Sequence, residues 1–204
     1  MRSIFQGSRA NCYAWFDCYI AGLLGLLFMN PTIKQLNHPT MLPHNIHVIQ
    51  KIPIPIAHAW DFFSRPQNLV QITPPSMGLK IITDPLPENV FKGEIIEYTV
   101  SPLLRIPLHW ITFITEVKAP EYFVDESTKG PYKLWKHSHY FKEIEGGVEM
   151  RDHVEYINPM GFAGRLSNGL FVKRKLKELF EYRYDKIETL FGKWAGQELS
   201  LEFT

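Results

Sequence analysis

The chain reads as an α+β protein: a curved antiparallel sheet of seven strands wrapped around one long C-terminal helix, with two short helices after the first strand. Three observations predict this. Short apolar runs that alternate with polar residues recur between residues 45 and 157. The Pro and Gly clusters between them are too brief for crossover helices, so neighbouring strands run antiparallel. A final stretch ending at Phe191 carries apolar residues every three or four positions, the period of a helix.

Asn45–Ile52 alternates and opens the sheet, and Pro53 and Pro55 end it. Ile56, Ala59, Trp60 and Phe63 then recur at helical spacing until Ser64-Arg65-Pro66 breaks the helix. A second short helix is expected over Pro66–Ile72, stopped by Thr73-Pro74-Pro75. Six further strands follow: Leu79–Thr83, Gly93–Ser101, Leu108–Lys118, Tyr122–Ser127, Tyr132–Glu143 and Val148–Ile157. The terminal helix is expected from Met160 to Phe191, with Gly192 as its stop. Its apolar stripe is Phe162, Leu166, Leu170, Lys173, Leu176, Phe180, Tyr184 and Ile187. It is the one element long enough to cover a face of the sheet.

The expected organisation is an apolar extension over residues 1–43, one ligand-binding domain over 44–192 and a tail over 193–204. Residues 12–29 form an apolar run interrupted by Asp17, barely long enough to span a bilayer. They read as an unused upstream segment, a membrane anchor or a signal without a small-residue cleavage pattern. Membrane contact is expected only through this run, and a cytoplasmic location is expected otherwise. Cys12 and Cys18 both lie in the extension, which argues against a disulfide scaffold, a cysteine metal site or a thiol nucleophile in the domain. A formal net charge of +1 argues against nucleic acid as a partner. Lys173, Arg174, Lys175 and Lys177 are offset by Glu178, Glu181 and Glu188 and read as a solvated helix face.

Alternation assigns the strand faces. Trp110, Thr112 and Ile114 share one face; so do Trp135, His137, His139 and Phe141. In the last strand Val148, Met150, Asp152, Val154 and Tyr156 share a face opposite Glu149, Arg151, His153 and Glu155. Asp152 therefore sits in an apolar row, where an ionised carboxylate needs a partner or a raised pKa. His137 and His139 on the neighbouring strand supply one across the Gly146-Gly147 turn. Such a pair fits a register-fixing polar contact, an anchor for an amphipathic ligand, or an acid–base pair. A His-x-His zinc site with Asp152 as third ligand fits the spacing too, but no metal and no cofactor is expected. The cavity-lining candidates are Trp60, Trp110, Thr112, Trp135, His137, His139, Phe141, Asp152 and Tyr156; no catalytic residue is assigned.

These residues carry a family likeness. Gln50-Lys-Ile-Pro53, Ala59-Trp-Asp-Phe-Phe63 and Asn68-Leu69 through Thr73-Pro74-Pro75 resemble the opening of bacterial SRPBCC proteins, the START, polyketide-cyclase and birch-pollen-allergen superfamily. Gly93 to Tyr98, Ile106 to Trp110, Phe123-Val-Asp-Glu126, Gly130-Pro-Tyr132, Trp135 to Phe141, Gly146-Gly147, Met150-Arg-Asp152 and Val154-Glu-Tyr156 follow in the expected order. Phe180 and Arg183 fit the ligand-binding subgroup. The resemblance covers about residues 44–191 and implies a helix-grip fold with an internal cavity, without fixing a ligand or a reaction. The leading expectation is binding of a hydrophobic or amphipathic small molecule, lipid, polyketide or isoprenoid-like, between sheet and helix. The alternative is a cyclase or dehydratase using the His–Asp pair; binding is favoured over turnover.

Overall fold

The structure, a computed structural model, describes residues 42–101, 106–158 and 164–204. Among the described residues, eight strands form one antiparallel sheet. They are β1 (His44–Ile52), β2 (Lys80–Ile81), β3 (Ile95–Val100), β4 (Leu108–Lys118), β5 (Tyr122–Lys129), β6 (Leu134–Ile144), β7 (Gly147–Ile157) and β8 (Ser200–Phe203). Helix α1 (Ile56–Phe63) is followed by 3-10 turns at Pro66–Val70 and Pro75–Met77, and α2 (Gly164–Phe191) precedes β8. The spatial order β2-β3-β4-β5-β6-β7-β1-β8 is a meander whose last hairpin pairs back onto β1.

The six strands expected after the first helices all form, although β2 is trimmed to two residues. The eighth strand corrects the seven-strand expectation. Ser200–Phe203 alternates Leu201 and Phe203 with polar neighbours and pairs antiparallel with Ile46–Ile49 of β1. The expected second helix is shorter and is a 3-10 turn, because each of Pro66 and Pro75 opens a tight turn and Thr73-Pro74-Pro75 stops the first one. The expected start of the long helix at 160–163 and the apolar run at 12–29 lie outside the described residues.

Curvature comes from β4 and β5, whose register slips between Ile111 and Thr112 and again between Ile114 and Glu116. Each irregularity bends the strand and adds local twist. The β6–β7 hairpin closes tightly: Gly146 holds a φ of 84°, and Gly147 lies so close to β1 that an added Cβ would stand 2.1 Å from the Ile52 carbonyl oxygen.

Helix α2 covers the concave face with Leu176, Leu179, Phe180, Arg183, Tyr184 and Ile187, all buried. These positions step by three and four and make one inward stripe. The expected stripe is corrected at its N-terminal end, where Leu170 is 76% exposed and Lys173 faces solvent. Leu179 and Arg183 take up the inward positions instead. Phe180 is 1% exposed and packs with Ile46, Val48, Val154 and Trp135. Ile187 joins a second cluster containing Ile52, Ile114, Phe141 and Met150. Buried Gln50 donates from Nε2 to the Tyr184 carbonyl at 3.1 Å and ties β1 to the helix backbone.

Phe180→Ala should cost about 3–5 kcal/mol of stability by urea denaturation, as removal of a fully buried aromatic does. Gly147→Ala should cost about 1–3 kcal/mol, because the new methyl meets backbone rather than a movable side chain. A near-neutral Gly147→Ala would contradict the close approach of β7 to Ile52.

Candidate functional site

A cavity of about 150 Å3 lies between the sheet and α2. Its walls are largely apolar: Leu69, Ile72, Ile96, Val100, Ile114 and Met150 contribute. At one end Trp110 packs edge-on against Trp135, with ring centres 5.3 Å apart, and stacks on Tyr98 at 5.8 Å. The Tyr98 hydroxyl and Thr112 Oγ1 hydrogen-bond at 2.8 Å, and both residues line the cavity.

The polar part of the wall is built by three strands and the helix. The β6–β7 register sets His139 opposite Asp152, and the β5–β6 register sets Asp125 opposite His137. Strand alternation turns all four inward. Asp152, 2% exposed, approaches both imidazoles with Oδ1: His139 Nδ1 at 2.8 Å and His137 Nε2 at 3.2 Å. Asp125 Oδ2 lies 3.2 Å from His139 Nε2 and 3.9 Å from His137 Nδ1. The two rings are 3.8 Å apart between centres.

These distances fix the protonation pattern. A carboxylate can only accept, so each nitrogen bonded to one must carry hydrogen. His139 is hydrogen-bonded through Nε2 to Asp125 and ion-paired through Nδ1 with Asp152, the setting of an imidazolium. His137 is bonded only at Nε2, since 3.9 Å is beyond hydrogen-bonding reach, and is neutral. The electrostatics agree. Burial opposes charge on His139, but Asp152 and Asp125 outweigh it and hold its pKa above the ordinary histidine value. Burial and the neighbouring His139 charge push His137 below it, despite its bond to Asp152. Burial alone would raise the Asp152 carboxyl; the two histidines overcome it and hold it well below the usual carboxylate range.

Arg183 projects from α2 into the same wall. Burial lowers its pKa, and Asp152 and Asp125 offset part of that effect. Its guanidinium lies 5.4 Å from the Phe180 ring centre. Two carboxylates thus share this part of the wall with one imidazolium and one guanidinium, and these four charges balance; Arg65, also on the lining, is paired outside it with Asp61 and Glu88. Three buried polar atoms on cavity-lining residues have no hydrogen-bond partner among the described residues: Trp110 Nε1, Asp152 Oδ2 and Arg183 Nε. Two are donors and one is an acceptor.

Of the residues singled out from the sequence, Trp110, Thr112, Trp135, His137, His139 and Asp152 line the cavity. Trp60, Phe141 and Tyr156 do not. Trp60 packs edge-on against Phe123 and Phe141, both at 6.0 Å, and Tyr156 is buried against Trp135 and Tyr132. Their bulk fills the layer that supports the wall. Asp125 and Arg183 were not among the sequence-derived site residues. Asp125 sits two positions from inward Phe123, and Arg183 falls three after Phe180 and four before Ile187; these phases are the signals that could have found them.

The charge pattern has a consequence for pH. His139 has a raised folded pKa, so its stabilising share is complete below the unfolded value of about 6.5 and fades as pH rises through the folded value. The stability advantage of the parent chain over His139→Gln should therefore be largest on the acid side of that range and shrink toward alkaline pH. Urea denaturation with a chelator present checks this; an advantage that grows with pH would reverse the assignment.

No family model matches the chain, and no curated protein matches it. Solved structures do. CV1439 from Chromobacterium violaceum is 10% identical over 74% of this chain and 100% of its own, with a TM-score of 0.58. Ms6760 from Mycobacterium smegmatis is 15% identical over 72% of this chain and 89% of its own, with a TM-score of 0.52. Ara h 8.0201 is 11% identical over 72% of this chain and 99% of its own, with a TM-score of 0.51. At these identities the likeness is one of architecture: an antiparallel sheet gripping a long C-terminal helix. The chain has the helix-grip fold.

Proposed function

We propose that the chain binds a small, mostly apolar molecule with a neutral, hydrogen-bonding end in the cavity between sheet and helix. The observation that carries this reading is the coincidence of a largely apolar cavity with three unpartnered buried polar atoms on its lining residues. Leaving such groups unsatisfied costs about 1–3 kcal/mol each. A ligand offering one donor to Asp152 Oδ2 and acceptors to Trp110 Nε1 and Arg183 Nε recovers that cost. Because the four charges of the polar wall already balance and Arg65 is paired with Asp61 and Glu88, a neutral polar end suits the cavity better than a carboxylate or an amine. A space of about 150 Å3 takes a molecule of roughly benzene's bulk. That favours a substituted ring or short polyketide-like fragment over a long acyl chain. Structures sharing this fold support a small-molecule carrier or sensor by analogy alone.

A second reading is an acid–base enzyme, a cyclase or dehydratase. One observation favours it: neutral His137 lines the cavity with Nδ1 unbonded, 3.9 Å from Asp125 Oδ2, so that nitrogen can take a proton from a bound substrate. Turnover of a polyketide-like hydroxyketone by the parent chain, lost in a folded His137→Gln variant, would support it. A cytoplasmic location belongs to the same proposal; among the described residues, no helix is long and apolar enough to cross a membrane.

Calorimetric titration with benzene and phenol tests the binding reading. Phenol should bind roughly 10–100-fold more tightly than benzene, the yield of one hydrogen bond to a charged group. Asp152→Asn should narrow that preference. Ile96→Phe, which fills the space, should abolish binding of both. Equal affinity for the two probes would remove the polar anchor, and no binding of either would remove the cavity reading.

A further inference from the structure

The arrangement around Asp125 has a property that ligand binding does not use. We propose that His137 Nδ1, His139 Nε2 and Asp125 Oδ2 form a binding site for one divalent transition-metal ion, with its open coordination position toward the cavity.

The three donor atoms lie within 4.8 Å of one another. Asp125 Oδ2 is 3.2 Å from His139 Nε2 and 3.9 Å from His137 Nδ1. A four-coordinate ion with bonds of about 2.0–2.2 Å needs donors roughly 3.3–3.6 Å apart. Closing these donors onto an ion requires shifts of well under a residue's width, and all three come from two paired strands rather than loops.

Asp152 supplies the second, independent observation. Its Oδ1 faces the other nitrogen of each ring, His137 Nε2 and His139 Nδ1. With those nitrogens facing one carboxylate oxygen, His137 Nδ1 is free to present a lone pair on the side of Asp125, and His139 Nε2 presents one once it gives up the proton it shares with Asp125. Metal-bound histidines are ordinarily held this way, by a carboxylate behind the ring.

Two histidines and one carboxylate with an open position suit iron(II), cobalt(II) or zinc rather than calcium or magnesium, which take oxygen donors. Arg183, on the same cavity wall, is a cation and works against a second one. Exchanging the His139 proton for a dication adds one positive charge. A bound hydroxide, or an anionic atom of a ligand, on the open position restores balance. The proposal is independent of the ligand reading, because an ion can bind whether or not an apolar molecule fills the cavity.

The competing site is on the outer face, where His47 and His153 stack at 4.4 Å. The test therefore separates the two. The full chain, stripped with a chelator, is titrated with zinc by calorimetry. One zinc per chain is expected. Affinity should fall roughly 10–100-fold in Asp152→Asn, further in Asp125→Asn, and hardly at all in His153→Gln. Unchanged zinc affinity in a folded Asp125→Asn, or loss of binding in His153→Gln, overturns the proposal. Pulsed electron paramagnetic resonance of the parent chain with one equivalent of copper(II) needs no variant. Two coordinated imidazoles whose signal survives in His153→Gln support the inner site. No binding, or a spectrum that His153→Gln abolishes, overturns it.

Discussion

A carboxylate without water must be given partners, and the interior of this protein is arranged around that need. Asp152 stands in a strand whose other inward residues are Val148, Met150, Val154 and Tyr156. An unpaired charge there would cost several kcal/mol. The β6–β7 register brings two imidazoles to the same oxygen, and the β5–β6 register then supplies Asp125 to hold the proton that one of them carries. Shifting either pairing by a single residue would turn the partners to the outer face. The polar cluster therefore works as a register lock for the centre of the sheet, whatever else it does.

The helix completes the arrangement from the opposite side. Phe180 covers His137 edge-on at 6.1 Å, while Arg183 brings a guanidinium to the same wall. One turn of α2 thus covers the cluster and places a positive charge on the wall that holds its two carboxylates. Trp110 and Trp135 shield the other end. Low polarity around the cluster strengthens each ion pair and explains why adjacent histidines hold opposite protonation states: two charges with ring centres 3.8 Å apart in a dry site would repel too strongly.

Much of this was legible from local patterns. Alternation in β6 and β7 set the inward faces correctly, because both strands are long and the outward residues of β7 are plainly polar. It singled out Asp152 as the anomaly and His137 and His139 as its partners. The order of strands followed from Pro and Gly breaks. Three parts were not legible, each for a physical reason. In β5 both Phe123 and Val124 are buried, so alternation there is blurred and Asp125 looked like one of a run of polar residues. Arg183 lies among the many charges of α2, and only the phase of the stripe distinguishes it. β8 is four residues long, too short for a periodic signal, and forms because β1 has an open edge beside it. Its formation depends on a partner more than 150 positions away in sequence.

The placement of β8 also bears on how the sheet ends. With β2 at one margin and β8 at the other, the two outermost strands have only two and four residues. Thr204 and Asn45 exchange backbone hydrogen bonds at 2.8 and 3.0 Å, so β1, one of the longer strands, is not left as a margin. Long bare margins are templates for adding strands from other chains. Here the exposed rows are kept to a few amides each, which deprives self-association by strand addition of its usual starting point.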